Sequence, residues 1–424
     1  MLFRSVEFRQ ENCPVGSFQE FARRLQPEGS GSRERGRSPA TPTKEERGFQ
    51  MRCFALTLCG EPTIGKSGMN PAEVRNESMN ELLTAAANPP ASFEEYLIQN
   101  AKVVGDLVNS YIPSGDHPDM DTYLYGPLMK YSENGGKRHR PLICFAACVA
   151  VGGDIRHAAS AASAIEHFHT AALIHDDIAD EATTRRGVPC MHLTEGLGIA
   201  INTGDLALSM VNGAVMRDPY LTDAQKVRVV TELIEMTRRT IEGQALDLGW
   251  ARDKRYDITP DDYLCMAIHK TAHYSGAVPL AVGAIVGGGT EEQIAALREY
   301  GLATGLAFQI QDDLLNIEGD PEIVGKDYAS DITEGKRTLM VVHALKHSDK
   351  RDRLVEILSS KTTDIAELAE AVSIMREAGS LDYARDYASS LTDKAKEKLL
   401  QEIDESNARA LLISMADYFI NRMK

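Results

Sequence analysis

The residues best suited to chemistry are aspartates that follow apolar runs. The stretch LIHDDIADEATTRRG at 173–187 holds Asp176, Asp177 and Asp180. Carboxylates this close repel one another and resist ionising together unless a cation joins them. Residues i and i+4 of a helix differ by about 40° around its axis, so Asp176 and Asp180 would project side by side and could chelate one hard cation. The cluster therefore predicts a metal site near the end of a helix.

A second acidic cluster repeats this pattern further along the chain. QIQDDLLNIEGD at 309–320 places an aspartate pair after an apolar approach, with Gln309 about one turn earlier. Magnesium suits such clusters because one or two carboxylates hold it while waters and phosphate oxygens of a substrate complete its coordination. Mg²⁺ ions and a diphosphate would bridge the two clusters if their helices faced each other across a cavity. The predicted metal ligands are Asp176, Asp177, Asp180, Asp312 and Asp313.

Basic residues beside these clusters predict two anion sites. Arg185 and Arg186 follow the first cluster, and arginine binds phosphate through paired hydrogen bonds. GGKRHRP at 135–141 precedes an apolar helix, predicted to open after the proline, whose N-terminus would add its dipole. Two anion sites in an acidic protein indicate two phosphorylated substrates. The remaining cations of these sites are Lys137, Arg138, Arg140, Lys270, Lys326 and Lys336.

The elements that must position these residues are helices. From Ser92, a predicted N-cap with Glu95 three residues later, the chain shows apolar residues at helical spacing and hardly any alternating strand pattern. We predict a large all-α bundle. Its helices are predicted at 138–152, 156–181, 203–216, 221–247, 260–286, 291–317, 335–347, 363–378 and 380–420.

Composition narrows the function classes. Lys and Arg number 46 against 62 Asp and Glu, and a net charge of −16 argues against a nucleic-acid binder. The seven cysteines are scattered without a CxxC pair, which indicates a reducing, cytoplasmic setting with no disulfide framework or zinc site. Neither PLICFAACVAV nor GAVPLAVGAIVGG is long enough to span a bilayer, so we expect both to be buried core helices and no stable membrane insertion.

Residues 1–90 differ from the rest of the chain. They are charged, rich in Pro, Gly and Ser, and without periodicity, a composition that cannot bury a core. Met51, Met69 and Met79 are alternative starts, so this extension is either a disordered tail or a non-native upstream segment. The working domain is predicted at 91–424.

Each signal also has a simpler explanation. A lone DDxxD motif occurs on solvated helix faces, although apolar residues precede both clusters here. His169 alone would be a packed helix histidine, and each lysine alone a surface residue. The His-Asp pair at 175–176 is also similar to that of metal-dependent phosphohydrolases, but that interpretation explains neither the second acidic cluster nor the arginines.

Taken in order, the motifs resemble those of the trans-isoprenyl diphosphate synthases, the polyprenyl synthetase family, over about residues 92–424. The motifs are GGKRHRP, HTAALIHDDIADEATTRRG, INTGDLAL, HKTA, FQIQDDLLNIEGD, GKDYASD and EGKRTL. The resemblance implies a helical bundle around a deep cavity, a homodimer, and about three Mg²⁺ ions that hold an allylic diphosphate between the aspartate clusters. It also implies that isopentenyl diphosphate is the second substrate.

The resemblance assigns roles to single residues. Arg185 would bind the allylic diphosphate with Lys270, Lys326 and Lys336. The isopentenyl diphosphate site would be Lys137, Arg140, His169 and Arg186. Oxygens of Thr271 and Gln309 would face the developing carbocation.

The resemblance also implies that residues before the first acidic cluster set the product length. Small Ala171 and Ala172 would leave the product tunnel open, and Phe168, one turn deeper, would form its floor. We therefore expect geranylgeranyl diphosphate, with longer polyprenyl or farnesyl products as alternatives. Asn316 stands where many members have a third aspartate, which leaves its part in metal binding open. A class I terpene cyclase and a non-catalytic synthase subunit remain as competing functions.

Overall fold

Helices account for most of residues 70–319 and 328–421, the part of the chain that the computed structural model describes. The strands among these residues are β1 (Thr184–Arg185) and β2 (Val188–Pro189), two residues each, which pair in an antiparallel hairpin. The all-α prediction is confirmed. The helices are α1 (Pro71–Ala87), α2 (Phe93–Asn109), α3 (Pro118–Met120), α4 (Gly126–Glu133), α5 (His139–Ala150), α6 (Ala159–Ala179), α7 (Met191–Thr194), α8 (Leu197–Met216), α9 (Asp223–Arg252), α10 (Pro260–Ala267), α11 (Val278–Val286), α12 (Glu291–Glu318), α13 (Ser330–Thr333), α14 (Leu339–His347), α15 (Arg351–Ser360), α16 (Ile365–Glu377), α17 (Ser380–Glu402) and α18 (Asn407–Asn421).

Short polar side chains start many of these helices. Ser92 accepts a hydrogen bond from the backbone N–H of Glu95 at 3.2 Å, which confirms the predicted N-cap of α2. Thr222, Thr259 and Thr290 start α9, α10 and α12 with reciprocal capping boxes. Each cap satisfies N–H groups that have no partner inside the helix, so these threonines fix where the long helices begin.

The two apolar segments without charges form the middle of the bundle. Every residue of α11 is buried, and so is every residue of α5 except Val149. Both were predicted as buried core helices, and the prediction is confirmed. No helix in residues 70–319 and 328–421 is long and apolar enough to cross a membrane.

Close backbone contacts bring three elements to one place. Ile268–Ala277, between α10 and α11, is a π-helical segment, a wider helix that is frequent at functional sites. A Cβ on its Gly276 would lie 2.0 Å from the carbonyl oxygen of Gly301 in α12, and a Cβ on Gly243 in α9 would lie 2.1 Å from the backbone nitrogen of Lys270. Only glycine permits such an approach. The polar residues of α9, α12 and the π-helical segment therefore face a common space.

Several elements differ from the sequence prediction. α1 lies within the predicted extension: Asn70 caps it, Pro71 occupies its first turn, and Leu82 is buried. The remainder of the extension, residues 1–69, lies outside the described part of the chain. The short helices α3, α4, α7, α13 and α15 were not predicted, α10 and α11 were predicted as one helix, and so were α17 and α18. Ser406, whose hydroxyl accepts from the N–H of Arg409 at 3.1 Å, starts α18 as a separate helix.

Candidate active site

A cavity of about 920 Å³ collects most of the predicted site residues. Its lining combines aspartates from both acidic clusters with the basic residues of both predicted anion sites. Asp177 and Asp180 lie next to this lining and not in it, and Lys326 falls outside the described residues. The predicted residues that line the cavity are Asp176, Asp312, Asp313, Lys137, Arg140, His169, Arg185, Arg186, Lys270, Thr271, Gln309 and Lys336.

The first acidic cluster lies at the C-terminal end of α6, which ends at Ala179 with Asp180 as its cap. Asp176 accepts a hydrogen bond from Gln244 Nε2 at 3.0 Å, and Lys270 Nζ lies 4.0 Å from the same carboxylate. Asp180 accepts one from Lys336 Nζ at 3.1 Å. Burial and the charge of Asp176 raise the pKa of Asp180. The two carboxylates thus share a helix face and are compensated by cations.

Asp177 has a different environment from its neighbours. Its side chain is 2% exposed. It accepts hydrogen bonds from the Tyr131 hydroxyl at 3.1 Å and from Arg185 Nε at 2.7 Å. Burial lowers the pKa of Arg185, but the carboxylates of Asp177 and Asp176 outweigh this and leave the pKa raised. Asp177 therefore anchors Arg185, and its oxygens are already occupied by protein donors.

A hairpin turn separates the two adjacent arginines. Arg186 and Gly187 have φ values of 54° and 76° and connect β1 to β2, as in the two-residue turns that need positive φ at both positions. Arg185 turns toward Asp177, whereas Arg186 donates to the backbone carbonyl of Gly135 in the GGKRHRP motif. The tight turn explains how neighbouring arginines reach different parts of the cavity.

Lys270 and α9 support the first cluster from the other side. Lys270 Nζ donates to Asp247 at 2.5 Å, and Asp247 is 5% exposed. Burial lowers the pKa of Lys270, but Asp247 and Asp176 raise it more, so the ammonium stays charged. Gln244 and Asp247 were not predicted as site residues. Their signal is a pair of polar residues three positions apart on one helix, just after the glycine that α9 places against Lys270.

The two aspartates of the second acidic cluster differ in exposure, as Asp176 and Asp177 do in the first. Asp312 is exposed and lines the cavity. Asp313 is 6% exposed and accepts hydrogen bonds from the Tyr263 hydroxyl at 2.8 Å and from Gln309 Nε2 at 2.6 Å. Burial, followed by the charge of Asp331, raises the pKa of Asp313 to about 8. Both aspartates line the cavity, but Asp312 is exposed whereas Asp313 is buried and held by Tyr263 and Gln309.

Thr271 and Gln309 form a direct pair. The Thr271 hydroxyl donates to Gln309 Oε1, and the amide nitrogen of Gln309 donates to Asp313. Both residues line the cavity. The Thr271 hydroxyl oxygen can still accept or face positive charge, because it donates its only proton to Gln309.

The GGKRHRP motif builds a buried cationic cluster. Arg138 is 6% exposed and donates from Nη1 to Glu166 at 2.7 Å. Arg140 is 5% exposed and donates from Nη2 to the hydroxyls of Ser275 at 2.8 Å and Tyr274 at 3.1 Å. Its helix α5 begins at His139, two residues before Pro141 and not after it, because a proline in the first turn needs no N–H partner.

His169 and Lys137 complete this cluster. The His169 ring stacks on Tyr274 with centroids 5.9 Å apart. Burial and then the charges of Arg140 and Arg186 hold the pKa of His169 well below its usual range, so the imidazole is neutral. Lys137 is exposed and donates to the Tyr418 hydroxyl at 2.8 Å. The cluster therefore presents cations and a neutral imidazole to one side of the cavity.

The predicted chain-length residues lie behind the cavity surface. Phe168 is 3% exposed, and its ring meets Tyr274 edge-on with centroids 5.6 Å apart. Ala171 is 2% exposed. Phe168, Ala171 and Ala172 are absent from the cavity lining, whereas Tyr274 belongs to it. Phe168 thus reaches the cavity through Tyr274.

The donor set fits a hard cation. Among the described residues, no three acidic, histidine or cysteine side chains come close enough to form a complete metal site. Asp176, Asp180 and Asp312 could offer one or two carboxylates to each ion. Mg²⁺ needs no more from the protein when phosphate oxygens and waters complete its coordination shell.

Comparison with known proteins identifies the family. Residues 121–375 match the family model described as polyprenyl synthetase, which is more than half of the chain. The chain belongs to the polyprenyl synthetase family. A short chain isoprenyl diphosphate synthase of Methanothermobacter thermautotrophicus is 41% identical over 302 residues, covering 70% of this chain and 90% of that protein. The resemblance seen in the motifs is confirmed.

Solved structures of polyprenyl synthetases share this fold. A geranylgeranyl pyrophosphate synthetase from Pyrococcus horikoshii is 34% identical with a TM-score of 0.71, and the match covers 78% of this chain and 98% of that one. A geranylgeranyl pyrophosphate synthase from Corynebacterium glutamicum, solved with isoprenyl diphosphate and magnesium, is 29% identical with a TM-score of 0.69, covering 76% of this chain and 98% of that one. The expected isoprenoid synthase bundle is thus confirmed.

Proposed function

We propose that this polyprenyl synthetase is a Mg²⁺-dependent trans-prenyltransferase that condenses isopentenyl diphosphate with an allylic diphosphate, head to tail, to give geranylgeranyl diphosphate. The observation that carries the proposal is one cavity lined both by aspartates of two facing clusters and by a separate buried group of arginines. The aspartates suit a diphosphate that is bound through metal ions, and the arginines suit a diphosphate that they bind directly. The relatives named as geranylgeranyl synthases support the product.

The metal ligands of the proposal are Asp176, Asp180 and Asp312. Bound Mg²⁺, about three ions, would neutralise charge on the allylic diphosphate. Asp177 and Asp313 belong to the motifs, but both are buried and bonded to tyrosine hydroxyls, so we give them an anchoring role. Arg185, Lys270 and Lys336 would add their charges at the same diphosphate, with Lys326 expected to join them.

Residues of the cavity would stabilise both products of allylic C–O cleavage, the leaving diphosphate and the carbocation. Cations around the leaving diphosphate stabilise charge as the allylic C–O bond breaks. The hydroxyl of Thr271 and the amide oxygen of Gln309, which lie together on the cavity wall, would stabilise the resulting carbocation. The isopentenyl double bond then attacks that carbon, a C–C bond forms, and a proton leaves to the released pyrophosphate. A cavity that excludes water keeps the carbocation from being quenched.

Isopentenyl diphosphate would bind the cationic cluster of Lys137, Arg140, His169 and Arg186. Arg140 is held in place by Ser275 and Tyr274, so little side-chain freedom would be lost when it binds a phosphate. Neutral His169 can donate one hydrogen bond without adding charge.

Purified full-length chain with Mg²⁺, farnesyl diphosphate and radiolabelled isopentenyl diphosphate tests the proposal. Chromatography of the products should show a diphosphate of C20 length. A longer product would correct only the chain length, and a labelled C15 product from a parallel reaction with geranyl diphosphate, with none from farnesyl diphosphate, would identify a farnesyl diphosphate synthase. An unlabelled hydrocarbon made from farnesyl diphosphate would instead identify a terpene cyclase, and absence of any product from either primer would support a non-catalytic subunit.

We further propose that the protein is a homodimer formed through α9 and α8. Four apolar residues of α9 repeat every seven positions, which places them in one stripe along a helix of 30 residues. Their exposures of 63%, 55%, 58% and 38% are far above those of core residues, and Leu197 and Ile201 extend apolar exposure onto α8. A second copy would cover this stripe with its own. The four residues are Val227, Ile234, Ile241 and Leu248.

Light scattering coupled to size exclusion tests the assembly. We expect wild type at twice the chain mass, and a monomer for Ile234→Glu combined with Ile241→Glu. Ile365→Glu, on α16 with 73% exposure, is the matched control and should stay dimeric. A wild-type monomer would refute the proposed dimer.

A cytoplasmic location stays a prediction from composition.

A further inference from the structure

Asn316, the last polar residue of the second acidic cluster, is tied to a neighbouring segment. It lies in α12 and is 5% exposed. Its Nδ2 donates to Ser330 Oγ at 2.9 Å, its Oδ1 accepts from the N–H of Asp331 at 3.1 Å, and its backbone carbonyl accepts from the N–H of Ala329 at 3.0 Å. One residue therefore binds three consecutive residues, 329–331.

The segment that Asn316 binds has a backbone conformation that needs support. Ala329 has φ 52° and ψ 35°, in the left-handed region that residues with a Cβ disfavour by about 1–2 kcal/mol. The turn allows α13 to begin at Ser330. The hydrogen bonds from Asn316 offset the strain of this turn and fix where Asp331 stands.

Asp331 in turn places Lys336. The backbone carbonyl of Asp331 accepts from the N–H of Lys336 at 2.8 Å, and its carboxylate lies 3.5 Å from Lys336 Nζ. The same Nζ lies 3.1 Å from Asp180. A continuous set of contacts therefore runs from Asn316 through Asp331 and Lys336 to the first acidic cluster.

We propose that Asn316 is a positioning residue that acts through residues 329–331 on Lys336, and that it is not a ligand of Mg²⁺. Both atoms of its amide are already bonded to the segment. This inference rests on the proposed function, because it assigns Lys336 to the allylic diphosphate.

The choice of an amide over a carboxylate also follows from the contacts. An aspartate at position 316 could accept from the N–H of Asp331 but could not donate to Ser330. It would also bring a third carboxylate next to buried Asp313 and Asp331, which are 6% and 8% exposed. If residue 316 bound Mg²⁺, the added negative charge of an aspartate would strengthen metal binding. If residue 316 positions the segment, the aspartate would weaken its contacts with residues 329–331.

Steady-state kinetics and hydrogen exchange on the full chain test the proposal. Asn316→Ala should lower kcat/KM for the allylic diphosphate by about tenfold, through a higher KM or a lower kcat. The KM for isopentenyl diphosphate should change little. Asn316→Ala in the Lys336→Ala background should cause little additional loss. Asn316→Asp should not lower the half-saturating Mg²⁺ concentration. Amide exchange at Ala329 and Asp331 should accelerate in Asn316→Ala.

Three results would overturn the proposal: losses in Asn316→Ala and Lys336→Ala that multiply, tighter Mg²⁺ dependence in Asn316→Asp, or unchanged exchange at Ala329 and Asp331. Ser330→Ala, which removes one of the three bonds, should show a smaller effect of the same kind and replaces Asn316→Ala if that variant does not fold. Inactive wild type would contradict the proposed function, while the exchange measurement would still decide whether Asn316 holds the segment.

Discussion

The buried contact between Asp177 and Arg185 makes the sharpest prediction about the first acidic cluster. Asp177 receives a tyrosine hydroxyl and an arginine, whereas Asp176, its neighbour in the motif, faces the cavity with its side chain 27% exposed. Asp177→Ala would leave the Tyr131 hydroxyl without this partner and Arg185 with Asp176 at 3.6 Å as its remaining carboxylate. Asp177 should therefore matter for folding, and Asp176 for metal binding.

The expected loss can be estimated from the exposures. Breaking a buried ion pair by removing one partner destabilises a protein by about 3–5 kcal/mol. The side chain of Arg185 is 19% exposed and keeps Asp176 nearby, so about 3 kcal/mol is the appropriate end of that range. With a urea dependence of about 3 kcal/mol per molar, the unfolding midpoint should fall by about 1 M. Asp176→Ala loses one hydrogen bond to Gln244 and two longer ion pairs, to Arg185 and Lys270. Both cations keep a closer carboxylate, so the cost should be about 1 kcal/mol.

Urea unfolding followed by circular dichroism, without added metal, compares the two variants. Asp177→Ala combined with Arg185→Ala should lose less than the sum of the single losses, because no unpaired charge stays behind. Equal midpoints for Asp176→Ala and Asp177→Ala would refute the division of roles within the motif.

Other consequences follow from the same contacts. Asp176→Ala and Lys137→Ala should stay folded by circular dichroism but lose most turnover in the elongation assay; near-normal activity in either would contradict the site assignment. Phe168→Ala should lengthen the product by chromatography because it removes the support behind Tyr274, and an unchanged product would place the floor elsewhere. The folded pKa of Asp313 is about 8, against about 4 in an unfolded chain, so stability should fall as pH rises from about 4 to about 8. Asp313→Asn should flatten that pH dependence in metal-free urea unfolding, and an equal slope in both proteins would show that other groups cause it.

The fold could be predicted from the sequence because its helices are long and periodic. α6, α9 and α12 have apolar residues at helical spacing, and threonine caps mark α9 and α12. α1 was missed because a capping asparagine and a first-turn proline stand in a chain region with little periodicity. The π-helical segment packs against α12 through the close backbone approach of Gly276 and Gly301, which lie far apart in sequence.

The site could be predicted in residue types but not in individual roles. Spacing alone placed Asp176, Asp177 and Asp180 together, yet which carboxylate faces the cavity depends on Tyr131 and the hairpin at Arg186. Glu166, Tyr274 and Ser275 were missed because buried partners of arginines carry no local sequence signal. Asn316 was considered only as a metal ligand, since its contacts lie across a turn.

We expect one cavity to hold two diphosphates, the allylic one through Mg²⁺ and the isopentenyl one through arginines and His169. Calorimetric titration of the full chain with a non-reactive thio analogue of farnesyl diphosphate, once with Mg²⁺ and once with EDTA, measures the first site, and titration with isopentenyl diphosphate measures the second. We expect the analogue to bind only with Mg²⁺ and not to bind Asp176→Ala, while isopentenyl diphosphate should still bind in EDTA and should not bind Arg140→Ala. Equal binding of the allylic analogue with and without Mg²⁺ would show that metal ions do not hold the allylic diphosphate.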